Sequence, residues 1–218
     1  MRRALRNLAL AGLLAAPLPV WAESLTVAAL GDSLTQGYGL PPEDGFVPQL
    51  QAWLRAQGED VTVVNAGVSG DTTAGGLSRV DWTLGGDPDG MIVALGGNDL
   101  LRGIDPAESR RNLQGILAAA DRAGVPVLLV GMRAPGNYGP DYKAAFDAMY
   151  PELAQAHDTV YAESFLAPLE EIEDRARARR DLIQPDGIHP NAAGVALIVA
   201  ELGPKVQELL ARIRAGES

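Results

Sequence analysis

The chain has 218 residues, of which 47% are hydrophobic, and its formal net charge is −10 at pH 7. This acidity argues against binding of nucleic acid or anionic lipid through bulk charge, and the absence of cysteine excludes disulfides and an N-terminal lipid on cysteine. The length and hydrophobic content suit one domain with a substantial core, because no repeat, low-complexity tract or linker divides the sequence.

The first 22 residues are typical of a secretory signal peptide. Arg2, Arg3 and Arg6 precede a short apolar run from Leu8 to Ala16, and small residues allow cleavage after Ala22. A membrane anchor is the alternative, but about nine apolar residues cannot cross a bilayer that requires roughly 20. We therefore expect a signal peptide at 1–22, one mature domain at 23–218, and export to a bacterial periplasm or beyond.

Apolar runs alternate with helical patterns along the rest of the chain. Strands are predicted at 25–30, 61–65, 91–95, 127–132 and 159–162. Helices are predicted at 46–57, 72–84, 106–123, 141–156 and from Asn191 onward, with Gly203 and Pro204 expected to kink or divide the last one. This alternation predicts an α/β fold, namely a flavodoxin-like three-layer α/β/α sandwich whose five parallel strands run in the order 2-1-3-4-5.

The first predicted strand ends at the sequence Gly31-Asp32-Ser33-Leu34. A small hydroxyl therefore lies on a turn at the carboxyl end of a buried strand, which is where ligands bind in open α/β sheets. Gly-Asp-Ser is also common in ordinary turns. The interpretation of Ser33 as a nucleophile thus depends on the partners that the rest of the chain supplies.

Both predicted neighbours of this strand end in unusual loops. Strand two leads into a loop with Gly67 and Gly70, and strand three leads into Gly-Gly-Asn-Asp, which contains Asn98. Acyl transfer at a serine requires donors aimed at the developing oxyanion, and the backbone N–H groups of Ser33 and Gly70 and the amide of Asn98 are candidates. Turn glycines and a turn-capping asparagine are the alternative.

A serine nucleophile also needs a base, and the chain has two histidines. His189 lies before the last predicted helix, and Asp186 precedes it by three residues, close enough to orient the ring. A polar loop in which Asn191 caps the helix is the alternative. His157 is interpreted as structural, because an imidazole at that place faces a helix C-terminus.

Four blocks of this sequence stand in the order of the four blocks of SGNH hydrolases, also called GDSL esterases, which the chain resembles. The blocks are Gly-Asp-Ser-Leu at 31–34, the loop with Gly70, Gly-Gly-Asn-Asp at 96–99 and Asp-Gly-Ile-His-Pro-Asn at 186–191. Over nearly the whole mature chain it is similar to the bacterial periplasmic group described as thioesterase I, lysophospholipase and arylesterase. The resemblance implies the SGNH hydrolase fold.

The resemblance also implies roles for individual residues. Ser33 would be the nucleophile, His189 the base and Asp186 its orienter. Gly70 and Asn98 would complete an oxyanion hole with the N–H of Ser33, whereas Gly67 would not belong to it.

By the same resemblance, the chain is expected to be a serine esterase. It would hydrolyse small-molecule esters and thioesters (aryl esters, acyl thioesters and lysophospholipids) through an acyl-enzyme, without a cofactor. Metal binding has little support in the sequence, since there is no cysteine and no second histidine at ligand spacing. Neither nucleic-acid binding nor stable membrane insertion is expected. A carbohydrate O-acetylesterase on the same scaffold and a non-catalytic periplasmic binding protein are the alternatives.

Two segments bear on specificity. The segment 40–45, with its two consecutive prolines, is longer than expected for the group and would alter chain-length preference if it lined the acyl site. A basic cluster follows at Arg175, Arg177, Arg179 and Arg180. The spacings Glu171–Arg175 and Glu173–Arg177 favour a solvated helix face, and a patch that binds a headgroup or coenzyme A is the alternative.

Overall fold

A five-stranded parallel β-sheet forms the centre of the computed structural model, which describes residues 24–216. The predicted signal peptide lies outside the described residues. The strands are Leu25–Gly31 (β1), Val61–Gly67 (β2), Gly90–Ala94 (β3), Val127–Val130 (β4) and Val160–Ala162 (β5). They lie in the order β2-β1-β3-β4-β5, so the predicted strand order is confirmed.

Nine α-helices are found within residues 24–216. They are Ser33–Gln36 (α1), Phe46–Ala56 (α2), Thr73–Leu84 (α3), Gly97–Arg102 (α4), Pro106–Ala123 (α5), Pro140–Ala156 (α6), Ala167–Glu170 (α7), Arg175–Leu182 (α8) and Ala192–Ala215 (α9). Short 3₁₀ helices occur at Pro42–Asp44 and Gly136–Tyr138. None of these helices is both long enough and apolar enough to cross a membrane.

The helices cover both faces of the sheet, and each face has its own apolar core. On one face α2 and α9 pack over side chains such as Val27 and Ile92. On the other, α3, α5 and α6 pack over side chains such as Met91 and Leu129. Strands buried on both faces read as continuous apolar runs, which is why β1, β3 and β4 are visible in the sequence.

The prediction that Pro204 divides the last helix is wrong, because α9 runs unbroken from Ala192 to Ala215. Leu202 and Val206, on either side of the proline, are buried against α2 and the sheet. Gly203 lies so close to the ring of Trp53 that a Cβ there would come within 2.6 Å of it. Packing on both sides of Pro204 therefore holds the helix together despite one missing hydrogen bond.

The predicted helix-face pairs of the basic cluster are also wrong. Helix α8 begins only at Arg175, and the side chain of Asp174 caps it by accepting the N–H of Arg177. Glu171 and Glu173 precede the helix, so they do not have the helical spacing to Arg175 and Arg177 that the prediction assumed. Glu171 instead lies 3.5 Å from Arg133.

Candidate active site

The turn after β1 places Ser33 at the carboxyl edge of the sheet, between its two neighbouring strands. Gly31 pairs with Gly67 of β2 and with Ala94 of β3. Asp32 then caps α1, since its Oδ1 accepts the N–H of Leu34 at 3.0 Å. Ser33 is the first residue of that helix, so its own N–H has no acceptor within the helix.

Ser33, His189 and Asp186 form one hydrogen-bonded chain, as the sequence predicted. The Oγ of Ser33 lies 2.9 Å from Nε2 of His189, and Nδ1 of His189 lies 2.6 Å from Oδ2 of Asp186. The other oxygen, Oδ1 of Asp186, accepts the N–H groups of Ile188 at 2.9 Å and His189 at 3.0 Å. The carboxylate is therefore fixed on the same loop as the ring that it orients.

The electrostatics of Asp186 determine the tautomer of His189. The N–H of Ile188, the His189 side chain and the N–H of His189, in decreasing order of effect, lower the pKa of Asp186 to about 2. An ionised carboxylate accepts a hydrogen bond from the Nδ1–H group, which leaves the lone pair of Nε2 facing the hydroxyl of Ser33. This arrangement suits removal of the Ser33 proton.

The loop that carries His189 is tied to the helix that carries Ser33. Ile183 and Pro190 form an antiparallel bridge across the base of the loop, and the N–H of Gln184 donates to the carbonyl of His189 at 2.7 Å. The side-chain amide of Gln184 donates to the carbonyl of Tyr38, just after α1, at 2.8 Å. The ring of Tyr38 lies 4.8 Å from the His189 ring, centre to centre.

Ser33, Gly70 and Asn98, which carry the three predicted oxyanion donors, line the same cavity. Gly70 has a left-handed backbone, with φ of +84°, and within residues 24–216 neither its N–H nor that of Ser33 donates to a protein acceptor. The Nδ2 of Asn98 donates to the carbonyl of Asp71 at 3.0 Å and, over a longer 3.3 Å, to Oδ2 of Asp32. The predicted oxyanion donors therefore lie together, and Asn98 is already oriented.

Asp32 is almost fully buried beside these donors. Burial raises its pKa to about 6, against the opposing effects of the Leu34 N–H and the Asn98 amide. Its carboxyl group therefore titrates near the range of a histidine. Sequence reasoning treated this residue only as part of the Gly-Asp-Ser turn.

Two further residues, which the sequence did not reveal, hold the loops of the site in place. Arg79 on α3 donates through Nε to Asp71 at 2.6 Å, and through its other nitrogens to the carbonyls of Ala66 at 2.6 Å and Gly31 at 2.8 Å. One guanidinium thus joins the ends of β1 and β2 to the loop that carries Gly70. An arginine on an otherwise amphipathic helix gives no sequence signal for this role.

Asp99, next to Asn98, is the other missed residue. It is fully buried, and it accepts the N–H of Thr73 at 2.9 Å, the hydroxyl of Thr73 at 2.6 Å and the hydroxyl of Ser109 at 2.8 Å. These bonds anchor α4 to the start of α3 and to α5. Asn98 and Asp99 together therefore fix the position of the Gly70 loop relative to the end of β3.

A cavity of about 690 Å³ opens over Ser33 and His189. Leu100 and Ala134, from the core under α5 and α6, line it, and so do Leu34 and Leu166, which pack against the core under α2 and α9. The rest of the lining includes Leu101, Pro135, Tyr138, Glu170, Arg175 and Ile188. Within the described chain, residues 40–45 do not line it. The condition under which this segment would alter chain-length preference is therefore not met.

His157 lies apart from this cavity. Its Nδ1 is 2.6 Å from Oδ2 of Asp121, at the C-terminal end of α6, which fits the structural interpretation. Among residues 24–216, no group of three or more histidine, aspartate or glutamate side chains is arranged to hold a metal ion.

Comparison with known proteins identifies the family. The sequence model of the GDSL-like Lipase/Acylhydrolase family matches residues 29–197. The chain belongs to this family. As a GDSL-like acylhydrolase it is a serine ester hydrolase acting on small-molecule esters, so the predicted family and enzyme class are confirmed, and the non-catalytic binding protein is not supported.

Curated relatives of this GDSL-like acylhydrolase have esterase names. It is 37% identical to Esterase TesA of Pseudomonas aeruginosa, over 94% of this chain and 100% of that protein. It is 38% identical to an arylesterase of Vibrio mimicus, over 74% of this chain and 78% of that protein. It is 35% identical to thioesterase 1/protease 1/lysophospholipase L1 of Escherichia coli K12, over 85% of each chain.

Solved structures confirm the SGNH hydrolase fold of this acylhydrolase. A crystal structure of TesA superposes with a TM-score of 0.76 at 37% identity, over 84% of this chain and 99% of that chain. A structure of the psychrotrophic esterase EstA of Pseudoalteromonas sp., inhibited by monoethylphosphonate, also superposes on this chain. Its TM-score is 0.76 at 30% identity, over 85% of this chain and 98% of that chain.

Proposed function

We propose that Ser33 is the nucleophile of this hydrolase, with His189 as its base and Asp186 as the group that orients the base. The observation that carries the proposal is the unbroken hydrogen-bonded chain from the Ser33 hydroxyl through the His189 ring to Asp186. A serine hydroxyl is weakly nucleophilic until an adjacent base removes its proton. His189 takes that proton as Ser33 attacks the carbonyl, and Asp186 stabilises the resulting imidazolium.

The oxyanion formed by this attack is held by the N–H groups of Ser33 and Gly70 and by the amide of Asn98. The two backbone groups have no competing protein acceptor among the described residues, and the long bond from Asn98 to Asp32 is the one that an oxyanion would replace. Donors already in position stabilise developing charge without reorganising. His189 then protonates the leaving group, and water repeats the cycle on the acyl-enzyme.

The proposed substrates are aryl esters, acyl thioesters and lysophospholipids. The names of the relatives support this range, and so does the apolar side of the cavity formed by Leu100, Leu101, Ala134, Pro135 and Tyr138. We expect that side to hold the acyl chain. A series of acyl chains from acetyl to longer than octanoyl on one leaving group tests this, because an O-acetylesterase would favour acetyl.

The proposed maturation removes residues 1–22 and releases a catalytic domain of residues 23–218 into the periplasm or beyond. The arginine-rich start and the short apolar run support it. Expressed at full length in a secreting bacterium, the mature protein should begin at Glu23. An uncleaved, membrane-bound product would refute this proposal.

Labelling with a fluorophosphonate tests the nucleophile. One adduct is expected, at Ser33, and Ser33→Ala should abolish both labelling and turnover of p-nitrophenyl esters. Ser69→Ala is the matched control, because Ser69 lines the same cavity and should leave the adduct in place. Mapping of the adduct to Ser69 would disprove the assignment.

A further inference from the structure

The four arginines of α8 divide into two pairs with different surroundings. Arg177 and Arg180 contact Asp181, at 3.5 Å and 2.9 Å. Arg175 and Arg179 have no carboxylate within 4.0 Å in the part of the chain that the structure describes. Because they are four residues apart on one helix, they lie on the same side of it.

This side of α8 faces the site. Arg175 is exposed and lines the cavity above Ser33. Arg179 lies over the loop that carries His189, since a Cβ at Gly187 would come within 2.9 Å of its Nη2. Gly187, whose φ is +74°, is the residue that lets the guanidinium approach the backbone. Arg175 therefore shares the cavity with His189, and Arg179 lies against Gly187, on the loop that carries His189.

Three acidic groups in this region have other partners. Glu170 lies 3.5 Å from Arg133 and accepts from the hydroxyl of Ser164 at 3.2 Å. Asp174 accepts the N–H of Arg177 at the start of α8, and Asp186 is held by His189 and its loop.

Arg133 gives a contrast within the same cavity. It contacts Glu163 at 3.0 Å as well as Glu170 and Glu171, so its charge is compensated by three carboxylates. The charges of Arg175 and Arg179 are not, although the chain as a whole carries a net charge of −10.

The direction in which a leaving group departs brings it toward these two cations. In the proposed mechanism His189 gives its proton to the leaving oxygen or sulfur, so the leaving group must lie against His189. Ile188, Leu166 and Arg175 line the cavity together with His189, and Leu166 packs against the core under α9, so we place the leaving group among them. The acyl chain then occupies the opposite, apolar side.

We propose that Arg175 and Arg179 form a subsite for a phosphate group on the leaving group of the substrate. This inference rests on the proposed function. A guanidinium presents planar, paired donors that match phosphate oxygens. In the reaction the acyl–oxygen or acyl–sulfur bond breaks and the leaving atom takes the proton from His189. Water then attacks the acyl-enzyme and gives a proton to His189; the bond between the acyl group and Ser33 Oγ breaks, and His189 returns the proton to Ser33. The phosphate keeps its bonds throughout and serves only for binding.

Coenzyme A thioesters and lysophospholipids both carry such a phosphate. Two pairs of substrates, each with and without the phosphate, distinguish these two sources. Octanoyl-coenzyme A is compared with S-octanoyl-N-acetylcysteamine, which has the same thioester without phosphates. 1-Octanoylglycerol 3-phosphate is compared with 1-octanoylglycerol. Arg175→Gln or Arg179→Gln should lower the ratio of kcat/KM, phosphate-bearing over neutral, by about two- to fivefold, the range of exposed ion pairs. The pair whose ratio falls identifies the source of the phosphate.

Arg177→Gln is the matched control, because it removes the same charge from the same helix at a residue paired with Asp181. It should leave both ratios unchanged. An equal fall in this control would assign the effect to bulk charge, and unchanged ratios in Arg175→Gln and Arg179→Gln would also overturn the subsite.

Binding of free coenzyme A and of glycerol 3-phosphate to Ser33→Ala, measured by calorimetry, tests the subsite without turnover. At least one of the two should bind, and added Arg175→Gln and Arg179→Gln substitutions should weaken it. Absence of binding by both would count against the subsite. Failure of Ser33 to label would count against the mechanism alone.

Discussion

The Nε of Arg79 lies 2.6 Å from Oδ2 of Asp71, the residue that follows Gly70. Both side chains are only 18% exposed, and the same guanidinium also holds the carbonyls of Gly31 and Ala66. The turn with the proposed nucleophile and the loop with a proposed oxyanion donor are therefore positioned by one side chain that touches neither reacting group.

Arg79→Lys should lower kcat by about 10- to 100-fold with little change in KM, because displacement of catalytic groups by about 1 Å has effects of this size. A lysine keeps the charge but cannot reach three acceptors at once. Steady-state kinetics on a p-nitrophenyl ester measure the effect. Arg110→Lys is the control, since Arg110 pairs with Glu152 at the surface. Equal kcat in the two variants would contradict the positioning role.

Asn98→Ala should lower kcat by about 10²–10³, the usual loss for one oxyanion donor. KM should change little, and a reactive phosphonate should still label Ser33, because the donor acts only as charge develops on the carbonyl oxygen. Asn137→Ala removes another amide that lines the cavity and should retain kcat. A rise in KM alone in Asn98→Ala would make Asn98 a ground-state binding residue.

His189→Ala should lower kcat/KM by about 10²–10⁴ and slow the labelling of Ser33, because the base that activates the serine is lost. Adding Ser33→Ala should cost little more, since the two residues act as one unit. His157→Ala should keep its activity, since its ring contacts Asp121 away from the cavity. The reverse pattern in the two histidine variants would show that the triad is wrong.

Asp186→Asn should lower kcat by about 10³–10⁴, because an amide cannot hold His189 in the same tautomer. The pKa of Asp186 is lowered to about 2, so its carboxylate favours folding above its ordinary pKa of 3.8 and loses that effect as the pH falls toward 2. Urea unfolding should therefore depend less on pH in this range in Asp186→Asn.

Asp32→Asn tests a pKa that is raised, whereas the pKa of Asp186 is lowered. Burial raises the pKa of Asp32 from 3.8 to about 6, so its ionisation disfavours the folded state, by up to about 3 kcal/mol once the pH passes 6. The free energy of unfolding, relative to Asp32→Asn, should therefore fall between about pH 4 and about pH 7. A difference between the two proteins that stays constant with pH would contradict a raised pKa.

The sheet was predictable because β1, β3 and β4 are buried on both faces and appear as apolar runs, and right-handed crossovers leave few strand orders. The convergence of the three polar blocks that follow β1, β2 and β3 was predictable because a parallel sheet brings such ends together; the fourth block, at 186–191, lies in the loop before α9. The short helices α1, α4 and α7 were not, because four to six residues show too little periodicity to detect.

Arg79 and Pro204 show what local patterns miss. The acceptors of Arg79 lie on two strands whose register places their carbonyls side by side, which only the assembled sheet specifies. Helix α9 continues through Pro204 because its contacts on both sides outweigh the local preference. The wrong prediction of helical pairs in the basic cluster has a different origin. The sequence already contained Asp174, a typical capping residue, as a signal that the helix begins there.

Ser33 and His189 are separated by 156 positions in the chain, yet their side chains meet at 2.9 Å. The serine lies just after the first strand, and the histidine arrives only when the loop before α9 has docked. During synthesis, a chain that has not yet produced α8 and α9 therefore carries the serine and its three N–H donors without a base. If Ser33 and His189 act as proposed, turnover therefore requires the loop before α9 to be docked, and activity reports that this C-terminal part of the fold has formed.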